Sequence, residues 1–256
     1  MQWLIQCTGL PDIHTLRLLE TVKALGQPCI GIGIIPFSHE ITGLDEADPN
    51  APSMFYGSTT LIAKVKDWEF FRPGCFWDEH WYDPRCWIGK RNDLLNSDLQ
   101  LITAGALRRD WVKEPMFVKS IEQKLLTGMV IEPEKEDHDN WIIEQSALDA
   151  NDLLIMSPCK NIETECRFFI VDGKIVAGST YRWNGVHFTT RPIDGAMINH
   201  AIEAVHKWLP SPNIVMDTCR LKNGEYKVVE FNSINSSGFY NCDVKAIVKS
   251  IESKFS

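Results

Sequence analysis

The stretch "VMDTCRLKNGEYKVVEFNS", Val215 to Ser233, reads as two strands folded back about Asn223-Gly224. Asn-Gly between two β-prone runs is a strong short-range hairpin signal. Asp217 and Glu230 stand equally far from that turn, so the hairpin sets the two acids opposite each other. Asn232, two residues after Glu230, shares its face. Three oxygen donors, two of them anionic, then converge on one spot. Facing acids without a counter-charge repel, and a bound cation removes that cost. Hard oxygen donors of this kind suit Mg²⁺, which binds through one or two carboxylates and completes its shell with water and phosphate. Taken alone, Glu230 and Asn232 are as easily a solvated strand face.

Upstream, "CRFFIVDGKIVAGSTYRW" predicts a second hairpin around Asp172-Gly173. Before it, "MFVKS", "QKLLTGMVI" and "DLLIMSPC" read as short strands, and the region up to about residue 190 is expected to form one antiparallel sheet. "DGAMINHAIEAVHKWL" has helical spacing and is stopped by Pro210 and Pro212, with His200 and His206 as surface or packing residues. At the other end, "WLIQ", "DIHTLRLLETVKALG" and "CIGIGIIP" give strand, helix and strand. Leu16, Leu18, Leu19, Val22 and Leu25 form that helix's apolar stripe, and Gly26 ends it. "MFYGSTTLIAKVKDW" repeats the plan, with Ser58 or Thr59 as N-cap and a helix start able to hold an anion. The expected fold is therefore α/β (α+β). Residues 1–110 form a parallel α/β domain and residues 111–256 a domain of antiparallel sheets with helices.

The composition of the 256 residues is that of a globular protein, 44% hydrophobic and 23% charged. A net charge of -8 argues against general nucleic-acid binding. No apolar run approaches the ~18 residues needed to span a bilayer. "MQWLIQC" is too short for a signal peptide and reads as a first strand. The eight scattered cysteines predict buried thiols in a reducing cytoplasm. In "GCFWDEHWYDPRCW", Asp78, Glu79 and His80 resemble metal ligands, but as sequence neighbours they point apart. A hydrophobic cluster at the edge of a substrate site is the better account.

The Asp–Glu–Asn hairpin resembles that of the ATP-grasp ligases, and further segments follow in that superfamily's order. "PMFVKS" is similar to the strand whose lysine reaches the nucleotide phosphates, here Lys119. "KLLTGMV", with Gly128, resembles the phosphate-covering loop. "LLIMSPC" stands where the hinge strand meets adenine through its backbone, here Ile155, Met156 and Ser157. "ETECRFFIVDGKIVAGSTYR" resembles the segment that supplies a carboxylate, Glu163 or Glu165, and basic residues, Arg167 and Arg182. Lys119, Arg167 and Arg182 are placed as in a phage-enriched clade with two arginines and a lysine. "YGSTT" and "DLLNSD" match that clade's amino-terminal domain. Departures are the single glycine of the covering loop, Ser120 after the lysine, and Ser157-Pro158 where an acidic residue often stands.

The resemblance implies a pre-ATP-grasp domain over 1–110 and an ATP-grasp domain over 111–256. It also implies ATP and Mg²⁺ (or Mn²⁺) as cofactors, the metal lying on Asp217, Glu230 and Asn232. The implied reaction is carboxylate–amine ligation through an acylphosphate, with Arg182, Arg167 and Lys119 at the reacting phosphoryl group. The substrates are a carboxylate and an amine on a small molecule, peptide or protein end, in the cytoplasm or a phage host's cytoplasm. "SINSSGF", Ser233 to Phe239, cradles the acyl substrate or is a plain turn exposing Ser and Asn. A small-molecule kinase on the same core and a catalytically silent nucleotide-binding regulator are the alternatives.

Overall fold

The structure is a computed structural model and describes residues 1–7, 12–35, 40–78, 83–121 and 125–256. Glu79 and His80, and Lys124 of the covering loop, lie outside the described residues. The chain divides into two compact units, residues 1–82 with 162–256, and residues 83–161.

The first unit opens with the expected βαβ element: β1 (Gln2–Gln6), α1 (Ile13–Ala24) and β2 (Cys29–Ile34). Asp12 caps α1 by accepting from the Thr15 amide. At the other end the Gly26 amide donates to Lys23 O and the Gln27 amide to Val22 O, with Gly26 at φ 72°. This is a Schellman closure, which favours glycine because the left-handed backbone carries no Cβ penalty there. Leu18 and Val22 are buried, but Leu16 is 40% exposed and lies outside the packed stripe. β3 (Ile41–Thr42), β4 (Ser53–Tyr56), α2 (Thr59–Val65) and β5 (Pro73–Gly74) complete a sheet of order β3-β2-β1-β4-β5. It is parallel except where β3 pairs with β2. Ser58 is the N-cap of α2. Its own amide donates to Gln6 Oε1, so this helix start spends its donors internally.

The second unit contains β6 (Gln100–Thr103), α3 (Ala104–Arg109), β7 (Met116–Ser120), β8 (Met129–Ile131), α4 (Glu136–Gln145) and β9 (Leu153–Pro158). Its sheet is antiparallel, of order β6-β9-β7-β8. Leu107, Met116, Val118, Ile131, Ile143 and Leu154 form its core.

The first unit resumes with β10 (Ile162–Val171), β11 (Lys174–Trp183), β12 (Val186–His187), α5 (Gly195–Lys207), β13 (Ile214–Leu221), β14 (Tyr226–Asn232) and α6 (Val244–Phe255). The five strands make an antiparallel sheet of order β12-β11-β10-β13-β14. The middle of the chain thus contributes to two sheets where one was expected, because β9 pairs with β6 and β7 while β10 pairs with β11 and β13. α6, which had no sequence expectation, buries Val244, Ile247, Val248 and Ile251. They share one core with Phe169 and Val215 of this sheet and with Trp3, Ile5 and Tyr56 of the parallel sheet. Among the described residues no helix is long and apolar enough to cross a membrane. Cys166, Cys219 and Cys242 are buried free thiols, whereas Cys159 is exposed.

Candidate active site

Two hairpins of the five-stranded sheet position the charged residues, and β-bulges set both registers. Between β13 and β14 the Gly224 amide donates to Leu221 O and the Leu221 amide to Glu225 O. Gly224 sits at φ 89°. The loop is therefore three residues long, with glycine in the left-handed position. From it the strands pair Cys219 with Lys227 and Thr218 with Val228, a register that continued unbroken sets Asp217 opposite Val229. A bulge at Val229 moves the pairing on by one residue, so Asp217 faces Glu230 and Val215 faces Asn232. Bulges re-aim side chains in this way. The β10–β11 hairpin has the two-residue turn expected, with Asp172 at φ 53° and Gly173 at φ 70°. Shifts at Val176 and Tyr181 then bring Arg167 opposite Ser179 and Glu165 opposite Arg182.

On β10's other side Arg167 pairs with Asp217. Its guanidinium forks onto that carboxylate, Nε to Oδ1 at 2.8 Å and Nη2 to Oδ2 at 2.7 Å, and Nη1 donates to Gly238 O at 3.2 Å. Both residues are buried. Asn232 Nδ2 donates to Glu230 Oε1 at 3.0 Å and lies 3.4 Å from Asp217 Oδ2, bridging the two acids. Glu165 is buried, accepts from Tyr181 Oη at 2.7 Å, and pairs with Arg182 Nη1 at 3.1 Å. Glu163 pairs with Arg220 at 3.3 Å.

Aromatic rings close over these charges. Tyr181 and Tyr240 stack with centroids 4.8 Å apart, and the Arg167 guanidinium lies 4.9 Å from the Tyr240 ring. Tyr240 is at φ 47°, a left-handed backbone that side-chain-bearing residues adopt at a cost of order 1–3 kcal/mol. Arg17 of α1 holds it there by donating to the carbonyls of Tyr240 and Cys242.

Burial pushes the Asp217 carboxyl up from its ordinary value, the Arg167 charge pulls it back, and Glu230 and Glu165 reinforce the rise. For Arg167, burial acts against the charge and Asp217 more than restores it, raising the guanidinium above its ordinary value. Fork distances of 2.7 and 2.8 Å are those of a charge-assisted pair, so both groups are ionised. Three carboxylates, Glu165, Asp217 and Glu230, face two guanidiniums, leaving one net negative charge. Each Asp217 oxygen retains a lone pair beyond the one that accepts from Arg167. With Glu230 beside it, this donor set fits a hard divalent cation such as Mg²⁺ or Mn²⁺. Among the described residues no three His, Cys, Asp or Glu side chains gather into a metal-holding group, so such an ion takes two carboxylates and an amide at most.

The remaining expected residues lie in the second unit. Lys119 on β7 pairs in register with Ile155 on β9. A Cβ on Gly128 would stand 2.7 Å from the Phe117 ring and 3.8 Å from Lys119 Cδ, so glycine lets the loop lie against that strand. Ser120, the departure after the lysine, exchanges hydrogen bonds between its hydroxyl and the Leu126 amide and carbonyl, closing the loop base. The free strand edge expected at Ile155–Ser157 is not found. β9 is an interior strand, and Ile155 and Met156 have partners on both sides; beyond them Ser157 pairs with β7 alone. "DLLNSD" reaches this strand end, since Ser157 Oγ bonds Asn96 Oδ1 at 3.0 Å and Lys160 pairs with Asp98.

The loop after β14 departs from a turn exposing Ser and Asn, because Ser233, Asn235 and Ser237 are buried. Asn235 Nδ2 donates to Phe55 O at 2.6 Å, its Oδ1 accepts from the Phe76 amide at 2.8 Å, and its carbonyl accepts from the Gly57 amide. Its side chain ties the loop to the parallel sheet. Tyr181, Gly238, Tyr240 and His14 were missed. The one sequence signal for them was the run of small residues before Phe239-Tyr240, a length of chain able to turn back over the sheet.

A parallel α/β sheet, two antiparallel sheets and an Asp–Glu–Asn hairpin define the ATP-grasp fold. The structure is similar to D-cycloserine synthetase DcsG (TM-score 0.63, 13% identity, 100% of each chain covered). It is similar to D-alanyl-alanine synthetase A from Vibrio cholerae (TM-score 0.61, 13% identity, 99% of this chain and 98% of that one). It also resembles the ATP-grasp ligase PsnB complexed with a phosphomimetic variant of minimal precursor, Mg and ADP (TM-score 0.54, 13% identity, 98% and 96%). No curated protein matches the chain in sequence. Residues 33–251 match the model of an ATP-grasp domain family, the third of its clade, and the chain belongs to that family. It is an enzyme of the ATP-grasp ligase type.

Proposed function

We propose that this enzyme joins a carboxylate to an amine at the expense of ATP, through an acylphosphate, on an amino acid, a peptide or a protein end. The observation that carries this is the Asp217–Glu230 pair: two acids set face to face by a bulge, bridged by Asn232 and backed by Arg167. A protein spends stability on facing like charges where a cation is to be held. Asp217, Glu230 and Asn232 hold Mg²⁺ or Mn²⁺, and PsnB solved with Mg and ADP supports that choice. When bound, the ion neutralises phosphate oxygens as the phosphoryl group moves.

The protein's own groups do the rest. Lys119 meets the phosphates, with Gly128 in the loop that covers them, and the backbone at Ile155, Met156 and Ser157 meets adenine, Ser157 being best placed. Arg167 fixes Asp217 and serves the phosphates. Arg182, half exposed, turns its remaining donors to the reacting end. Glu163 or Glu165 meets the ribose; Glu163 has the more exposed carboxylate. In this division residues 1–110 shape the substrate site and 111–256 bind nucleotide. Lys119, Arg167 and Arg182 as a two-arginine, one-lysine set fit the phage-enriched clade, and with it a cytoplasmic setting. The named neighbours, a D-cycloserine synthetase, a D-alanyl-alanine synthetase and a ligase with a peptide-like precursor, support amino acids and peptides as the substrate class. ADP release across a panel of amino acids and peptides, with mass spectrometry of products, tests the assignment. Phosphorylated product without an amide would establish a kinase, and nucleotide binding without turnover a regulator.

A further inference from the structure

Around Tyr240 the first unit gathers groups that the metal and phosphate chemistry leaves unused. His14, in the first turn of α1, stands edge-on to the Tyr240 ring at 5.4 Å, and His187 of β12 lies 5.5 Å from the same ring. Gly238 explains how close His14 comes. A Cβ there would stand 2.8 Å from both Cδ2 and Nε2 of the imidazole. The Gly238 carbonyl is the atom to which Arg167 donates, so one glycine separates the imidazole from the guanidinium that grips Asp217. His14 Nδ1 is enclosed and finds no hydrogen-bond partner among the described residues. An enclosed polar atom without a partner calls for a ligand, a water or a catalytic role.

The charges around the ring favour its neutral form. Burial lowers the His14 pKa, Asp12 opposes this, and Arg17, Arg167 and His187 reinforce it. Tyr240, the remaining titratable neighbour, has its phenol raised by burial and is uncharged at neutral pH. A neutral imidazole keeps one nitrogen lone pair for a proton.

We propose that His14 is the general base that takes the proton from the incoming substrate ammonium, an inference that rests on the ligase reading. The ammonium gives one proton to the unprotonated imidazole nitrogen, and the freed lone pair attacks the acylphosphate carbon. The C–N bond forms, the C–O bond to phosphate breaks, and phosphate departs with that electron pair. The second proton lost by nitrogen leaves on phosphate, so the products are the amide, hydrogen phosphate and a protonated His14. The class of acceptor that needs this service is an amine protonated at neutral pH, such as an amino acid or a peptide amino end.

The test compares wild type with His14→Gln and His14→Asn, the proteinogenic amino acids serving as donors. The nucleophile is either a second amino acid or hydroxylamine, which is uncharged at neutral pH. The expected result is unchanged hydroxamate formation with amide formation about 10²–10⁴-fold slower. Amide formation should return at about pH 9, above the ordinary α-amino pKa of about 8. Equal loss of both reactions, or loss of neither, overturns the proposal. Absence of ADP release by wild type with every donor sinks the ligase reading itself. NMR titration of the His14 imidazole then still decides on the base: protonation at neutral pH overturns the proposal whatever the activity.

Discussion

The β10–β11 and β13–β14 hairpins lie side by side in one sheet and treat charge in opposite ways. Bulged at Tyr181, the first sets Glu165 against Arg182, a pair of opposite sign that satisfies itself. Bulged at Val229, the second sets Asp217 against Glu230, two acids that cannot do so. Arg167, reaching from the first hairpin to Asp217, supplies one positive charge to the second. The self-satisfied pair needs no ligand for its stability, whereas the like-charged pair is completed by something the chain does not contain. A shared device, the bulge, thus builds a fixed structural pair in one hairpin and a binding site in the other.

Removing the strut between the hairpins should have the largest effect. Arg167→Met leaves Asp217 buried beside Glu230 without its fork, and urea denaturation should show a loss of about 3–5 kcal/mol, with no turnover. Stability within about 1 kcal/mol of wild type would mean that the like-charged pair does not depend on Arg167. Next, Glu230→Gln turns two acids into an acid and an amide. The fold should persist while turnover, and the rise in melting temperature produced by Mg²⁺ with ADP, disappear. Wild-type rates at saturating Mg²⁺ would falsify the metal assignment.

In the other hairpin, Arg182→Lys keeps the charge opposite Glu165 but removes the planar fork. Turnover should fall about 10²-fold with ATP affinity nearly unchanged, the size of effect seen when one transition-state donor is lost. Equal losses in both would make Arg182 a nucleotide clamp, and no loss would return it to the solvated surface. The smallest effect probes how far this field reaches. Burial lowers the His14 pKa below its ordinary 6.5, so its contribution to stability is present above that value and is lost as pH falls through the lowered one. Melting curves from about pH 7.5 to 5 should therefore show wild type losing ground to His14→Gln. Parallel curves would place His14 outside the influence of Arg17 and Arg167.

Much of this arrangement was legible in the sequence, part of it through two cancelling errors. Counting outward from Asn223-Gly224 as a two-residue turn pairs Asp217 with Glu230, as observed. The loop has three residues, which shifts the register by one, and the bulge at Val229 shifts it back. Turn residues announce a hairpin, but a bulge is a response to neighbouring strands and leaves no local signature. The same limit hid Tyr181, whose bulge aims its hydroxyl at Glu165, and the pairing that gives each of the two candidate acids its own arginine. Tyr240 and His14 were illegible for a related reason. A left-handed tyrosine and a helix-start histidine become neighbours only when α1 packs beside the loop after β14. The strand Gln100–Thr103 was placed with the amino-terminal domain because its partner, β9, lies about fifty residues further on. The apolar faces of α1 and α5 were largely plain from spacing, since a helix carries its periodicity wherever it docks.

Asn235 lies three residues past Asn232, and it is fastened to carbonyl and amide groups of Phe55, Gly57 and Phe76. Modularity is therefore limited in this chain. A piece beginning near residue 111 would carry the whole nucleotide chemistry in sequence, yet it would leave Asn235 buried with its hydrogen-bonding groups unmatched and strip α6 of its wall of Trp3, Ile5 and Tyr56. Exchanging the amino-terminal region with that of a relative, whether by recombination or in the laboratory, should succeed only where the incoming strand and loop offer Asn235 the same backbone groups.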